Sequence, residues 1–221
     1  SNMEAILHDM MAESKNPTIA PYAKTSECFA RVTAKADSPE ECEKLLDPVV
    51  EKICAMLGED VYGVDVDSLE QVVGYGLRQR GLTLAVAESC TGGLLSKRIT
   101  DVPGCSDYYL GGVCSYANEV KMKVLGVQKE TLDTVGAVSP EVAEQMAEGV
   151  ARALGADVGV GITGVAGPGG GTDEKPVGLV YISIWHKGQH FTRKMKSMNG
   201  RDRIRMQAAS TALDLIRRNV F

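Results

Sequence analysis

Apolar residues recur along this chain at two spacings, every third or fourth position and every second, and the changes between them mark out the elements. Residues 28–34 (C-F-A-R-V-T-A) predict a short strand. Ser38-Pro39-Glu40-Glu41 opens a helix, with serine at the N-cap and proline at the first helical position. Leu45, Leu46, Val49, Val50, Ile53 and Leu57 then keep helical spacing until Gly58. Residues 61–66 are expected to return as a strand. Together these make a small α+β unit over residues 3–66.

From residue 67 onward, strands and helices alternate. Asp67 or Ser68 caps a helix over 69–80, with Val72, Val73 and Leu77 facing inward. Residues 82–87 form a short apolar run fit for a buried strand, and 94–100 resume a helical rhythm. A second strand is expected at 108–116 and a short helix at 118–125. Ser139-Pro140-Glu141 announces another helix, where Val142, Met146, Val150 and Leu154 repeat at every fourth position until Gly155. Residues 157–163 alternate small and branched side chains, as a buried strand would. Residues 177–185 and 189–196 predict a hairpin across His186-Lys187-Gly188, and 201–218 a closing helix with Ile204, Ala208, Ala212 and Leu215 in its packed stripe. The economical solution over 67–221 is an α/β domain, a mixed sheet covered by helices on both faces.

Composition narrows the classes. The 221 residues are 44 % hydrophobic and 24 % charged with a net charge of −5, which gives no global attraction for nucleic acid or acidic membranes. No apolar run reaches the length of a membrane span, and the start lacks the pattern of a signal peptide. Ser1 and Asn2, ahead of Met3, read as a tag remnant. The six cysteines include no C-x-x-C pair and the three histidines no H-E-x-x-H, so neither a zinc site nor another metal is expected. Buried free thiols in a cytoplasmic protein are the expected state. His8, His186 and His190 are expected at the surface rather than as bases.

The chemistry gathers where the strand at 82–87 meets Glu88-Ser89-Cys90-Thr91-Gly92-Gly93. A strand-to-helix junction exposes a side chain at the sheet edge and aims free N–H groups, here from Thr91, Gly92 and Gly93, at an anion or oxyanion. Ser89 is therefore either a nucleophile or the cap of the next helix. The double glycine costs about 1–2 kcal/mol of helix propensity and calls for a compensating use. Cys90 is a weaker second nucleophile. With no histidine at hand, the base would be a lysine of lowered pKa, and Lys121 leads, with Tyr116 and Asn118 beside it at a strand end and helix start. The simpler reading leaves Tyr116 a strand-end aromatic and Lys121 a solvated lysine.

The loop from Thr163 through Gly164, Gly167 and Gly169 to Thr172 is too long and glycine-rich for a connector, and it matches neither nucleotide-binding glycine motif. It suits an anion nest or a substrate lid. Arg201 and Arg203, at the start of the last helix, either pair with a phosphate or are solvated.

These stretches carry a resemblance. Ala87-Glu88-Ser89-Cys90-Thr91-Gly92-Gly93, Tyr116-Ala117-Asn118-Glu119-Val120-Lys121, Gly136-Ala137-Val138-Ser139, Gly164-Val165-Ala166-Gly167-Pro168 and Lys175-Pro176-Val177-Gly178 resemble, in order, the C-terminal domain of the CinA family. The resemblance covers 69–219 and implies a nicotinamide-nucleotide amidohydrolase. Such an enzyme converts nicotinamide mononucleotide and water to nicotinate mononucleotide and ammonia. It implies Ser89 as nucleophile, Lys121 as base and Tyr116 as assistant, without metal or cofactor. Thr91, Gly92, Gly93, Asn118, Thr163, Gly164, Gly167, Gly169 and Arg203 are the substrate-binding candidates. A homo-oligomer is expected, and the alternative is a protein that senses the nucleotide without hydrolysing it. Asn16-Pro17-Thr18-Ile19-Ala20-Pro21-Tyr22 and the strand and helix after it resemble the family's KH-like linker domain. In full-length members a molybdopterin-binding-like domain usually precedes that linker, and this sequence is expected to lack it. With no G-x-x-G in the linker, nucleic-acid binding is not expected.

Overall fold

The computed structural model describes residues 2–24 and 27–221. Ser1 lies outside them. The chain divides between Val64 and Asp65 into two compact units.

The first unit runs α1 (Asn2–Glu13), β1 (Thr18–Ala23), β2 (Cys28–Thr33) and α2 (Pro39–Leu57). The two strands pair antiparallel, and Met3, Leu7, Ile19 and Ile53 form the centre of its core. At the start of α2 the Ser38 hydroxyl accepts the Glu41 N–H at 3.2 Å. One expectation needs correction. Residues 61–66 form no strand. Asp65 turns there to a φ of 53°, a left-handed conformation that interrupts an extended run.

The second unit runs α3 (Leu69–Arg80), β3 (Leu84–Glu88), α4 (Leu94–Thr100), β4 (Tyr109–Cys114), α5 (Asn118–Leu125), α6 (Lys129–Val135), α7 (Pro140–Leu154), β5 (Val158–Gly164), β6 (Leu179–His186), β7 (Gln189–Lys196) and α8 (Arg201–Val220). The sheet order is β4-β3-β5-β6-β7. The first three strands are parallel, while β6 and β7 run antiparallel to their neighbours. From β3 the chain crosses through α4 to β4 on one side, then returns through α5, α6 and α7 to β5 on the other. Crossovers of one hand in opposite directions put their helices on opposite faces. Accordingly α3, α4 and α8 pack together on one face, and α5, α6 and α7 on the other. This is the expected mixed sheet covered on both sides. It also makes β3 the switch point, where the carboxyl ends of parallel strands leave a crevice.

Small residues let α7 lie close to the sheet. Ala85 and Ala87 of β3 join Val142, Met146 and Val150 of α7 in one apolar cluster. Gly159 and Gly161 of β5 face the backbone of α7. A methyl at Gly161 would stand 2.1 Å from the Ala143 carbonyl oxygen, and one at Gly159 2.0 Å from that of Ala147. Neither oxygen can yield unless the helix lifts. Gly161→Ala should therefore lower unfolding free energy in urea by about 1–3 kcal/mol. Gly169→Ala, where nothing lies within 4 Å, should stay within about 0.5 kcal/mol of the parent.

Two further corrections concern burial. All six cysteines are free, but only Cys90 is buried, and Cys28 and Cys114 are exposed. His186 is buried, with Nδ1 3.0 Å from the Asp157 carbonyl oxygen. The hairpin turn is shorter than expected: Lys187 and Gly188, both at positive φ, suffice, so His186 stays in the ladder opposite Val158. Among the described residues no helix is long and apolar enough to cross a membrane.

Candidate active site at the end of strand β3

The backbone fixes Ser89 before its side chain does anything. Its N–H donates to the Ile162 carbonyl of β5 at 3.0 Å, and the Ser115 N–H after β4 donates to the Glu88 carbonyl at 2.8 Å. The junction is thus held between the carboxyl ends of both neighbouring strands. Strand alternation then sends Glu88 and Ser89 to opposite faces of the sheet. Glu88 reaches α4, and Ser89 reaches α5.

Lys121 stands in the first turns of α5, where side chains tilt back toward the helix start. Only 1 % of it is exposed. Its Nζ lies 2.7 Å from the Ser115 carbonyl oxygen, 3.2 Å from that of Tyr116 and 3.3 Å from Ser89 Oγ. Two of these neighbours can only accept. A neutral amine has two hydrogens, and donating them to the two carbonyls leaves its lone pair toward the Ser89 hydroxyl. Burial lowers the Lys121 pKa from the ordinary lysine value, with the Cys90 and Glu119 side chains pulling it partly back up. Cys90 goes the other way. Burial is the main cause that pushes its thiol up to about 11, so at neutral pH it is protonated and a poor rival to Ser89.

The glycine turn does a different job from the one expected of it. Gly92 and Gly93 hold φ of 57° and 91°, conformations that side-chain-bearing residues rarely adopt. Their N–H groups are already taken: Gly92 donates to the Ser89 carbonyl at 3.1 Å and Gly93 to Glu88 Oε2 at 3.1 Å. Among the described residues, no hydrogen bond to another residue uses the N–H of Cys90 or Thr91; the Cys90 N–H meets only its own thiol. Those two amides, rather than those of Gly92 and Gly93, are the ones not committed to another residue. Thr91 is fully buried with its hydroxyl unpartnered, and its carbonyl accepts Arg205 Nε and Nη2 at 3.2 and 2.7 Å.

The remaining predicted residues are placed as follows. The Tyr116 phenol is exposed and accepts from Arg201 at 3.5 Å; its carbonyl, not its hydroxyl, meets Lys121. Asn118 is exposed at the start of α5. The Thr163 hydroxyl donates to the Ala137 carbonyl at 2.7 Å, tying the end of β5 to the segment before α7. Gly164 ends β5, and the Gly167 carbonyl accepts Arg201 Nη1 at 2.6 Å. Gly169 is exposed. Arg203 is exposed and not among the arginines that reach the junction. Two positions along a helix turn about 200°, so Arg203 faces away while Arg201 and Arg205, one turn apart, face the junction. Sequence reading missed Arg205 and the role of Glu88. The four-residue spacing from Arg201 was the available signal for Arg205.

Comparison with known proteins agrees with this geometry in extent. Residues 66–220 match the family model described as the CinA C-terminal domain, and residues 1–63 that of the damage-inducible protein CinA KH domain. A CinA-like protein of Desulfovibrio desulfuricans is 53 % identical over 213 residues, covering 95 % of this chain and 50 % of that protein. Another, from Dictyoglomus thermophilum, is 47 % identical over 221 residues, all of this chain and 54 % of that one. The chain thus spans about half the length of the curated relatives it matches. Among solved structures, the competence/damage inducible protein CihA of Agrobacterium tumefaciens superposes with a TM-score of 0.66 at 39 % identity, over 71 % of this chain and 96 % of that one. With both family models matched in order and near-half identity along its length, the chain belongs to the CinA family of competence/damage-inducible proteins.

Proposed function

We propose that the second unit hydrolyses the carboxamide of nicotinamide mononucleotide to nicotinate mononucleotide and ammonia, through an acyl-serine intermediate. The observation that carries this reading is the buried Lys121 amine, whose two carbonyl acceptors leave it 3.3 Å from Ser89 Oγ. A serine hydroxyl needs a base to become a nucleophile, and an uncharged amine in this position is one. Ser89 Oγ attacks the carboxamide carbon as its proton passes to Lys121 Nζ. The carbonyl oxygen gains charge beside the N–H groups of Cys90 and Thr91. Lys121 returns the proton to the departing nitrogen, and ammonia leaves. Water, deprotonated by the same amine, then opens the ester to release the carboxylate and restore Ser89.

An anionic nucleotide suits the surroundings. The contacts of Arg201 are to neutral oxygens, the Gly167 carbonyl and the Tyr116 hydroxyl, so a phosphate would meet a guanidinium with its charge uncompensated there. The phenol of Tyr116, on Arg201, is better placed to frame the substrate than to carry protons.

The test is direct. The protein incubated with nicotinamide mononucleotide should release ammonia and nicotinate mononucleotide in equal amounts. Binding of the nucleotide without ammonia release would instead make the protein a sensor.

A further inference from the structure

We propose that Glu88 is the positioning residue of this site: it holds the turn that aims Ser89 and selects which backbone amides remain uncommitted. The inference rests on the reading of Ser89 as nucleophile and goes beyond it. Glu88 is only 1 % exposed, and its carboxylate is saturated. Oε2 accepts the N–H groups of Gly93 and Leu95 at 3.1 and 3.0 Å, and Oε1 accepts the N–H and hydroxyl of Ser96 at 2.8 and 2.7 Å. These amides are the unpaired donors of the first turn of α4, and a carboxylate there is stabilised by charge as well as hydrogen bonds.

Three consequences follow from the geometry. The start of α4 is closed to an outside anion, because the residue just before Ser89 occupies it. The turn from 89 to 93 is held at its far end, by Glu88 at Gly93, and at its middle, by Arg205 at the Thr91 carbonyl. The amides left over are those of Cys90 and Thr91, directly after the nucleophile. Glu88 and Ser89 are consecutive and point to opposite faces, so rotation of one peptide unit moves both. Holding the carboxylate on α4 therefore holds the serine oxygen on the Lys121 side.

The experiment uses phenylmethanesulfonyl fluoride, which needs an activated hydroxyl but no nucleotide pocket. Ser89 Oγ forms the sulfonate ester, fluoride leaves, and the proton goes to Lys121. Labelling of Ser89 is followed by peptide mass spectrometry in the whole chain, with thermal unfolding measured alongside. In Glu88→Gln an amide nitrogen replaces one oxygen and faces donors. Labelling should slow by about 100-fold at temperatures where the variant is folded, a loss expected from misplacement of about 1 Å. The pH midpoint of labelling, set by Lys121, should not move. Ser96→Ala removes one of the four hydrogen bonds and should slow labelling by about tenfold.

If Glu88→Gln labels at the parental rate per folded molecule, Glu88 has only a structural role and the proposal is overturned. If Glu88→Gln does not fold, Ser96→Ala decides, and a parental rate there overturns the proposal as well. Failure of the parent to label at Ser89 would remove the nucleophile itself, and the role of Glu88 with it.

Discussion

Alanine at Ser89 should abolish all but a trace of ammonia release and leave the fold as it is. Among the described residues the hydroxyl has one hydrogen-bond partner, Lys121 Nζ, whereas the backbone N–H of the same residue stays in the ladder to β5. The cost in stability should therefore be small, within about 0.5 kcal/mol by urea unfolding. The cost in rate should be large. Loss of a nucleophile that acts together with its base removes about 10³ to 10⁶ in kcat, and the remainder comes from oxyanion donors and binding. Affinity for the nucleotide should hold, because neither arginine near the site is bonded to Ser89. Single-turnover ammonia release with excess protein measures the chemistry apart from product release. A Ser89→Ala protein within tenfold of the parent would mean that water attacks the carboxamide directly, with Lys121 as its base.

The helix starts that declared themselves to the residue are the ones with local punctuation. Ser38-Pro39, Ser68 and Ser139-Pro140 start helices in the chain as they do on paper, because a hydroxyl cap and a pre-set proline act within one turn. Apolar spacing alone marked α4, α5 and α8, which have no side-chain cap, but α1 and α6 were silent. α6 has seven residues and no side-chain cap, and α1 buries only Met3 and Leu7. β1 carries Pro21, which argues against a strand except at an edge, and a two-stranded ribbon is all edge. The reverse error, a strand at 61–66, came from counting apolar residues through Asp65, whose backbone turns away.

The site was legible in kind and not in wiring. A serine between a buried strand and two glycines marks a reactive junction, but Ser89 and Lys121 stand 32 residues apart and meet only because β3 and β4 are parallel neighbours. Which atoms do the work is a tertiary matter. Tyr116 contributes a carbonyl to Lys121, not the hydroxyl its side chain advertises. Gly92 and Gly93 supply left-handed backbone, and their amides serve Ser89 and Glu88. Glu88 looked like one more polar turn residue. Its signal was positional: an acid as the last residue of a wholly buried strand, five to eight positions ahead of the amides it accepts.

Lys121→Met should match the loss of rate in Ser89→Ala and also change how stability depends on pH. Methionine fills a similar volume and keeps the apolar contacts, but it cannot take the serine proton, so kcat should fall by about 10³-fold or more. In the parent, kcat/KM should rise with pH through the lowered lysine value and then level, because only the neutral amine is a base. That limb should vanish in the variant. Stability follows from the same shift. Burial holds the folded-state value below that of the unfolded chain, so between the two the unfolded chain binds more protons and the parent gains stability as pH rises. Below the folded value the lysine is charged in both states and its contribution is at its lowest. Methionine does not titrate. The stability of the parent relative to Lys121→Met should therefore climb from the lowered value toward the ordinary lysine value near about 10.4, where it levels. Urea unfolding of both proteins across that range measures the difference directly. A constant difference would show that Lys121 titrates as an ordinary lysine, and an ordinary lysine would be charged at neutral pH and unable to activate Ser89.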